Sequence, residues 1–390
     1  MTSQSLLSNS SPPSHVQRID VLRGIAICAV FLYHVSDEVN ANQTQITSGF
    51  NIFDIYRFGW TGVLLFFVVS GFCIHLSFLK WINFKISDKI SGFNLLSKYI
   101  PNFLYRRFWR IYPPYLFAYL LFFFWQKLGH SERTIRISDF VEHLLLIHNF
   151  DAASFFSLNG ALWSVAVEWQ LYLIYPIFLL IWSKLGIKNT LIFIAILNTS
   201  LLIVAHLFID RNNYLFIQMP FMYWLQWSLG ALIAEYWLKQ KRFFKSNIYI
   251  FVFILIAFLL SYKYYPLLGN GGVWTLGLSG ILAAMLFAFL IEEYINAVRP
   301  TFIVEKIFTT IGLCSYSIYL FHQPLIGSIF KIIHKLGLPH QSSFDLSVGA
   351  IIVFIPILGF SWLAYKYLEL SSVKVGQSWQ KARLPKVQIK

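Results

Sequence analysis

The chain has 390 residues, of which 57% are hydrophobic and 12% charged, and its mean hydropathy is +0.62. Soluble globular proteins carry about 25% charged residues, so this composition excludes an ordinary soluble enzyme and a disordered chain alike. A net charge of +14 could suit nucleic acid. Lys and Arg, however, crowd into short stretches between long apolar runs, the distribution that orients a membrane protein. The expectation is an all-α polytopic integral membrane protein in a lipid bilayer, with no nucleic-acid partner.

Residues 1–18 are polar and Ser-rich and contain no apolar h-region, so no cleavable signal peptide is expected. Apolar runs long enough to span then lie near 19–36, 58–79, 111–128, 164–183, 190–208, 217–237, 248–263, 273–291, 309–330 and 347–368. That gives about ten helices in a domain of residues 19–370, followed by a basic tail, 371–390, expected to be solvated at the membrane surface. The stretch 80–105 mixes Lys with Trp and Phe and suits a loop against lipid headgroups. The stretch 140–149, broken by Glu142 and His143, is too short to span and reads as a surface-lying segment. Its His143 and His148 are five apart, a poor spacing for a helical metal pair. Alternating the ten spans leaves all but eight of the 31 Lys and Arg on the side that holds both termini, which makes that side cytoplasmic. Cys28, Cys73 and Cys314 lie inside apolar runs and read as packing residues, and no metal site is expected.

Ionisable residues inside spans are costly, and each is a functional candidate. In LRGIAICAVFLYH, Arg23 and His34 are eleven helical steps apart. At ~1.5 Å per step the histidine lies about 16 Å deeper than the arginine, and the accumulated turn returns it to the same face. Asp20, three residues before Arg23, is placed to pair with it. In YRRFWRIYPPY, Arg107 and Arg110 are neighbours on one helix face, and two fixed guanidiniums suit phosphate oxygens. A basic belt at the membrane surface is the plainer reading of the same residues. Glu168, in ALWSVAVEWQLYLIYP, falls within the outer half of the fourth span, with Ser164 one turn earlier. His322 falls in the outer half of the ninth. His34, Glu168 and His322 are thus expected at similar depths, above a layer of Arg23, Arg107 and Arg110. His340 and Asp345 form an HxxxxD pair without partner motifs, at a frequency chance explains.

Taken in order, these segments resemble the acyltransferase-3 family of multi-span O-acyltransferases, over roughly residues 18–370. RIDVLRGIAICAVFLYH carries its arginine–ten residues–histidine signature, and GVLLFFVVSGF resembles its second span at Ser70 and Gly71. RRFWRIYPPY carries its arginine pair, ALWSVAVEWQ its Trp163, Ser164 and Glu168, and SIYLFHQP and YKYLELS its last two spans. The resemblance implies transfer of an acyl group, most often acetyl, from cytoplasmic acyl-CoA to a hydroxyl of a surface glycan such as O-antigen or exopolysaccharide. The membrane it implies is a bacterial inner membrane. It makes His34 catalytic as base or acyl carrier, with Glu168 orienting the imidazole. Arg107, Arg110 and Arg23 become the acyl-CoA site. His322, Trp163, Ser164 and Asp20 remain further candidates. The hydrolase-like domain fused to some larger members is expected to be absent after residue 370. Two other readings stay open: an antibiotic-like or lipid acceptor, and a proton-coupled transporter using the same intramembrane groups. Oligomeric state is not legible.

Overall fold

The computed structural model describes residues 17–40, 56, 58–85, 92–128, 136–208, 215–263, 272–297, 302–335 and 343–383. The described residues are helical, with no strand among them. In chain order the helices are α1 (Gln17–Asn40), α2 (Thr61–Lys85), α3 (Gly92–Leu128), α4 (Ile137–Leu144), α5 (Ala152–Phe155), α6 (Trp163–Phe208), α7 (Pro220–Leu238), α8 (Ile248–Lys263), α9 (Gly272–Asn296), α10 (Ile303–Leu313), α11 (Ser315–Lys335), α12 (Ser343–Ala364) and α13 (Leu370–Arg383). Five helical stretches are long and apolar enough to cross a membrane, and the bent pair α10–α11 would make a sixth. Large apolar side chains such as Leu173, Ile177, Ile196, Ile351 and Ile355 face outward. Such a surface suits lipid, where every backbone polar group must be satisfied within the protein.

The ten apolar runs fall largely in helices, but the helices do not follow the runs one for one. The fourth and fifth runs are one continuous assignment, α6, broken at Gly186, whose φ of +69° is open to glycine at no steric cost. The ninth run, 309–330, is not one straight element. It bends by 75° between α10 and α11, where Gly312 of α10 is pressed against the Asp20 carbonyl of α1. Residues 92–105, read as a headgroup-bound loop, are the start of α3, which runs on through Pro101, Pro113 and Pro114. The basic tail, read as solvated, is helical to Arg383. It packs along α3 through Trp109 and Trp379, with Tyr105 donating to the Gly376 carbonyl.

α2 packs most extensively on α7, and glycine sets that approach: a Cβ on Gly71 would overlap the Trp227 carbonyl, and one on Gly230 the Val68 carbonyl. α1 lies against α2, α10 and α11, α9 backs α2 and α7, and α8 covers α9. Prolines leave helical carbonyls open, since each removes the N–H that would bond four residues back. Two of those carbonyls are met by other elements: Ser372 Oγ donates to Trp109 O ahead of Pro113, and Asn159 Nδ2 to Leu320 O, 3.0 Å away, ahead of Pro324. Three tyrosines on one face of α3 close the C-terminal end of α4. Tyr112 donates to Leu144 O at 2.9 Å, Tyr115 to His143 O at 2.9 Å and Tyr119 to Phe140 O at 3.3 Å.

Candidate active site

Arg23 enters from α1, and Arg107 and Arg110 from successive turns of α3. Together they line the junction of two cavities. The larger, about 420 Å³, opens at the end of the bundle closed by α13 and is also lined by Arg106, Asp20, Tyr365 and Glu369. The smaller, about 90 Å³, continues inward between α2, α3, α6 and α11. Its walls are apolar at Val63, Phe66, Phe67 and Val165, and polar at Ser70, Ser164, Glu168, Tyr172 and Tyr319. Two of the guanidiniums, those of Arg23 and Arg107, are oriented by their neighbours. Arg23 Nη1 bonds Asp20 Oδ1 at 3.0 Å and its Nη2 reaches Cys73 Sγ at 3.5 Å. Arg107 lies over the rings of Phe103 and Tyr172, at 5.7 and 5.5 Å. Glu369, buried beside this arginine layer, accepts from Ser317 Oγ at 3.1 Å.

Glu168 sits in the smaller cavity with the arginines. Its Oε1 accepts from Ser70 Oγ at 3.0 Å and from the Tyr172 hydroxyl one helical turn away. It makes no hydrogen bond to His34, so the pairing implied for the imidazole does not form. Ser70 and Tyr172 take that carboxylate oxygen instead. The partner of His34 is His322, from α11, with ring centroids 5.0 Å apart. His322 Nδ1 lies 2.8 Å from the Tyr319 carbonyl, which can only accept, so the proton sits on Nδ1 and Nε2 presents a lone pair. That Nε2 is buried and has no partner among the described residues.

Ser164 joins the cavity wall and hydrogen bonds the Tyr319 hydroxyl at 2.6 Å. Trp163, one residue earlier, packs on Phe155 and Tyr223 and lines neither cavity. A separate buried group, His75, bonds Tyr175 at 3.1 Å and lies 4.0 Å from Glu235, away from the cavities. His143 and His148 are buried and stacked at 3.9 Å between α4 and the following turn. The pair His340 and Asp345 falls outside the residues whose side chains are described.

The arrangement thus gathers Arg23, Arg107, Arg110, Asp20, Ser164 and Glu168 around one connected space, with His34 and His322 paired behind Tyr319. Sequence reading missed Ser70 as a ligand of Glu168, along with Tyr172, Tyr319 and Glu369. Glu369 alone gave a signal, as an ionisable residue at the end of the last apolar run.

The chain is similar to O-acetyltransferase OatA of Staphylococcus aureus (strain NCTC 8325 / PS 47), with 25% identity over 335 residues that cover 80% of this chain and 51% of that protein. It is similar to peptidoglycan O-acetyltransferase OatA of Listeria monocytogenes, with 25% identity over 347 residues, 80% of this chain and 49% of that one. The chain therefore spans about half the length of the curated relatives it matches. No solved structure matches it. The acyltransferase-3 family, described as an acyltransferase domain, matches residues 16–366, nearly the whole helical bundle that carries the arginine layer and the histidine pair, and the chain belongs to that family.

Proposed function

We propose that the chain is a membrane O-acyltransferase that moves an acyl group, most simply acetyl, from cytoplasmic acyl-CoA to a hydroxyl of a glycan at the outer face. In this reading it crosses a bacterial inner membrane ten times with both termini cytoplasmic. The observation that carries the proposal is the junction of the two cavities, where arginines from two helices stand at the mouth of a narrow space lined by Ser164, Glu168 and Tyr319. A phosphate-rich donor fits the larger cavity, because guanidiniums bind phosphate oxygens through paired, charge-assisted hydrogen bonds. When bound, acyl-CoA supplies the thioester. Arg23, Arg107 and Arg110 hold its phosphates, and the smaller cavity excludes bulk water from the acyl end.

At the other end His34 takes the proton of the attacking hydroxyl, since sugar hydroxyls need a base as they react. His322, with its proton fixed on Nδ1, offers a second lone pair beside it. Glu168, held by Ser70 and Tyr172, places a negative charge beside the arginine layer. The name of the Listeria monocytogenes relative favours peptidoglycan as the glycan, in place of O-antigen or exopolysaccharide.

The test is titration of acetyl-CoA into the full chain purified in detergent. Wild type binds, and replacing Arg107 and Arg110 together by Gln removes two charged contacts worth ~1.5 kcal/mol each, weakening Kd about 100-fold. A wild type that binds no acyl-CoA would overturn the proposal.

A further inference from the structure

Neither His34 nor His322 lines the cavity in which Glu168 and the arginines meet. Tyr319 belongs to both sides. Its side chain lines the smaller cavity beside Ser164, and its ring centroid lies 5.3 Å from that of His322. Three tyrosines line this cavity, and their protons are differently committed. Tyr172 donates to Glu168, and Tyr316 donates to the Ile111 carbonyl at 2.8 Å. The Tyr319 hydroxyl instead belongs to a triangle, 2.6 Å from Ser164 Oγ and 3.1 Å from Ala161 O, with Ser164 Oγ itself 3.3 Å from Ala161 O.

Two hydroxyl protons serve this triangle in either of two ways. Tyr319 donates to the carbonyl while Ser164 donates to Tyr319, or Ser164 takes the carbonyl and Tyr319 donates to Ser164. In the second arrangement Ser164 keeps the carbonyl satisfied, so the phenol proton can leave without orphaning a buried acceptor. The proton of Tyr319 is thus held only by neutral oxygens, with Ser164 able to serve the carbonyl in its place, whereas the proton of Tyr172 is held by the Glu168 carboxylate.

We propose that Tyr319 is a catalytic residue that carries the acceptor's proton to the departing sulfur, a role that rests on the acyltransferase reading above. The acceptor oxygen bonds to the acyl carbon, and its proton passes to the histidine pair. The carbon–sulfur bond breaks with its electron pair on sulfur. Tyr319 gives its phenol proton to that sulfur, and the imidazolium beside its ring restores the proton to the phenolate. The products are an ester, a free thiol and neutral side chains. The driving force is charge: an imidazolium and a thiolate left apart in an apolar interior are both poorly solvated, and the transfer neutralises both.

Tyr319→Phe keeps the ring and its packing and removes only the hydroxyl. The full chain in detergent is assayed with an N-acetylglucosamine pentasaccharide as hydroxyl acceptor and two donors, acetyl-CoA and p-nitrophenyl acetate, whose nitrophenolate leaves without a proton. The expected result is unchanged acetyl-CoA binding, kcat with acetyl-CoA lowered about 100-fold, and unchanged transfer from p-nitrophenyl acetate. Equal losses with both donors would mean that the hydroxyl only supports the fold, and full activity with acetyl-CoA would mean that it is idle; either overturns the proposal. Wild type that fails to bind acetyl-CoA counts against the acyltransferase reading instead.

Discussion

His34 and His322 come from helices nearly 300 positions apart in the chain, yet their rings meet at 5.0 Å. His34 lies on α1 one face with Arg23, so a single helix connects the arginine layer to the histidine pair. His34→Ala is expected to abolish acyl transfer while acetyl-CoA binding persists, because its imidazole lines neither donor cavity. Parallel thiol-release and binding assays check this, and retained turnover would remove His34 from the chemistry. At this scale the charged candidates were legible because charge inside an apolar run is conspicuous. The neutral hydroxyls of Ser70, Tyr172 and Tyr319 were not, since a tyrosine in a membrane helix looks the same whether it packs against lipid or bonds a carboxylate. The partner of Glu168 was also out of reach: spacing along α6 gives its face, while Ser70 arrives from α2.

Between elements, small residues and prolines decide how closely the helices approach. Gly71→Ala places a methyl on the Trp227 carbonyl and is expected to destabilise the α2–α7 pair by about 1–3 kcal/mol. Gly359→Ala in α12 meets nothing within 4 Å and gains up to about 1 kcal/mol of helix propensity. Thermal unfolding in detergent compares the two, and equal midpoints would refute the close contact. The α4 segment, outside the spans, adds a pH dependence. Burial pushes the His143 imidazole down to about 4, against the hydrogen bond from its Nδ1 to Asp139 O. Burial lowers His148 as well, and the stacked rings repel once charged.

A group whose folded pKa lies below its unfolded value of about 6.5 contributes stability that is whole above that pH and is lost as pH falls toward 4. Burial opposes ionisation of Asp139, but bonds from Arg136 and Ser154 outweigh it and keep its carboxyl below the ordinary value, so that ion pair outlasts the histidines. Protection of the α4 amides from hydrogen exchange is therefore expected to fall between about pH 6.5 and 4. Protection that stays constant over that range would refute it.

For the whole molecule, the charge bias between alternating segments is the basis for the proposed orientation. Reporter fusions at Lys89 and Arg133, both outside the described residues, are expected on opposite sides of the membrane. Reporters on one side would undo the ten-span count. By itself the sequence determined the helical membrane class, the apolar runs that become helices, and the arginine–histidine face of α1. Each of these follows from composition and local period, which act within one segment. Only the tertiary structure decided that Glu168 joins Ser70 and Tyr172, that His34 meets His322, that α10 and α11 bend apart at Cys314, and that α13 closes the arginine cavity. Those outcomes depend on where glycines let backbones touch and where prolines leave carbonyls for another helix to fill, and such pairings exist only once the helices have packed.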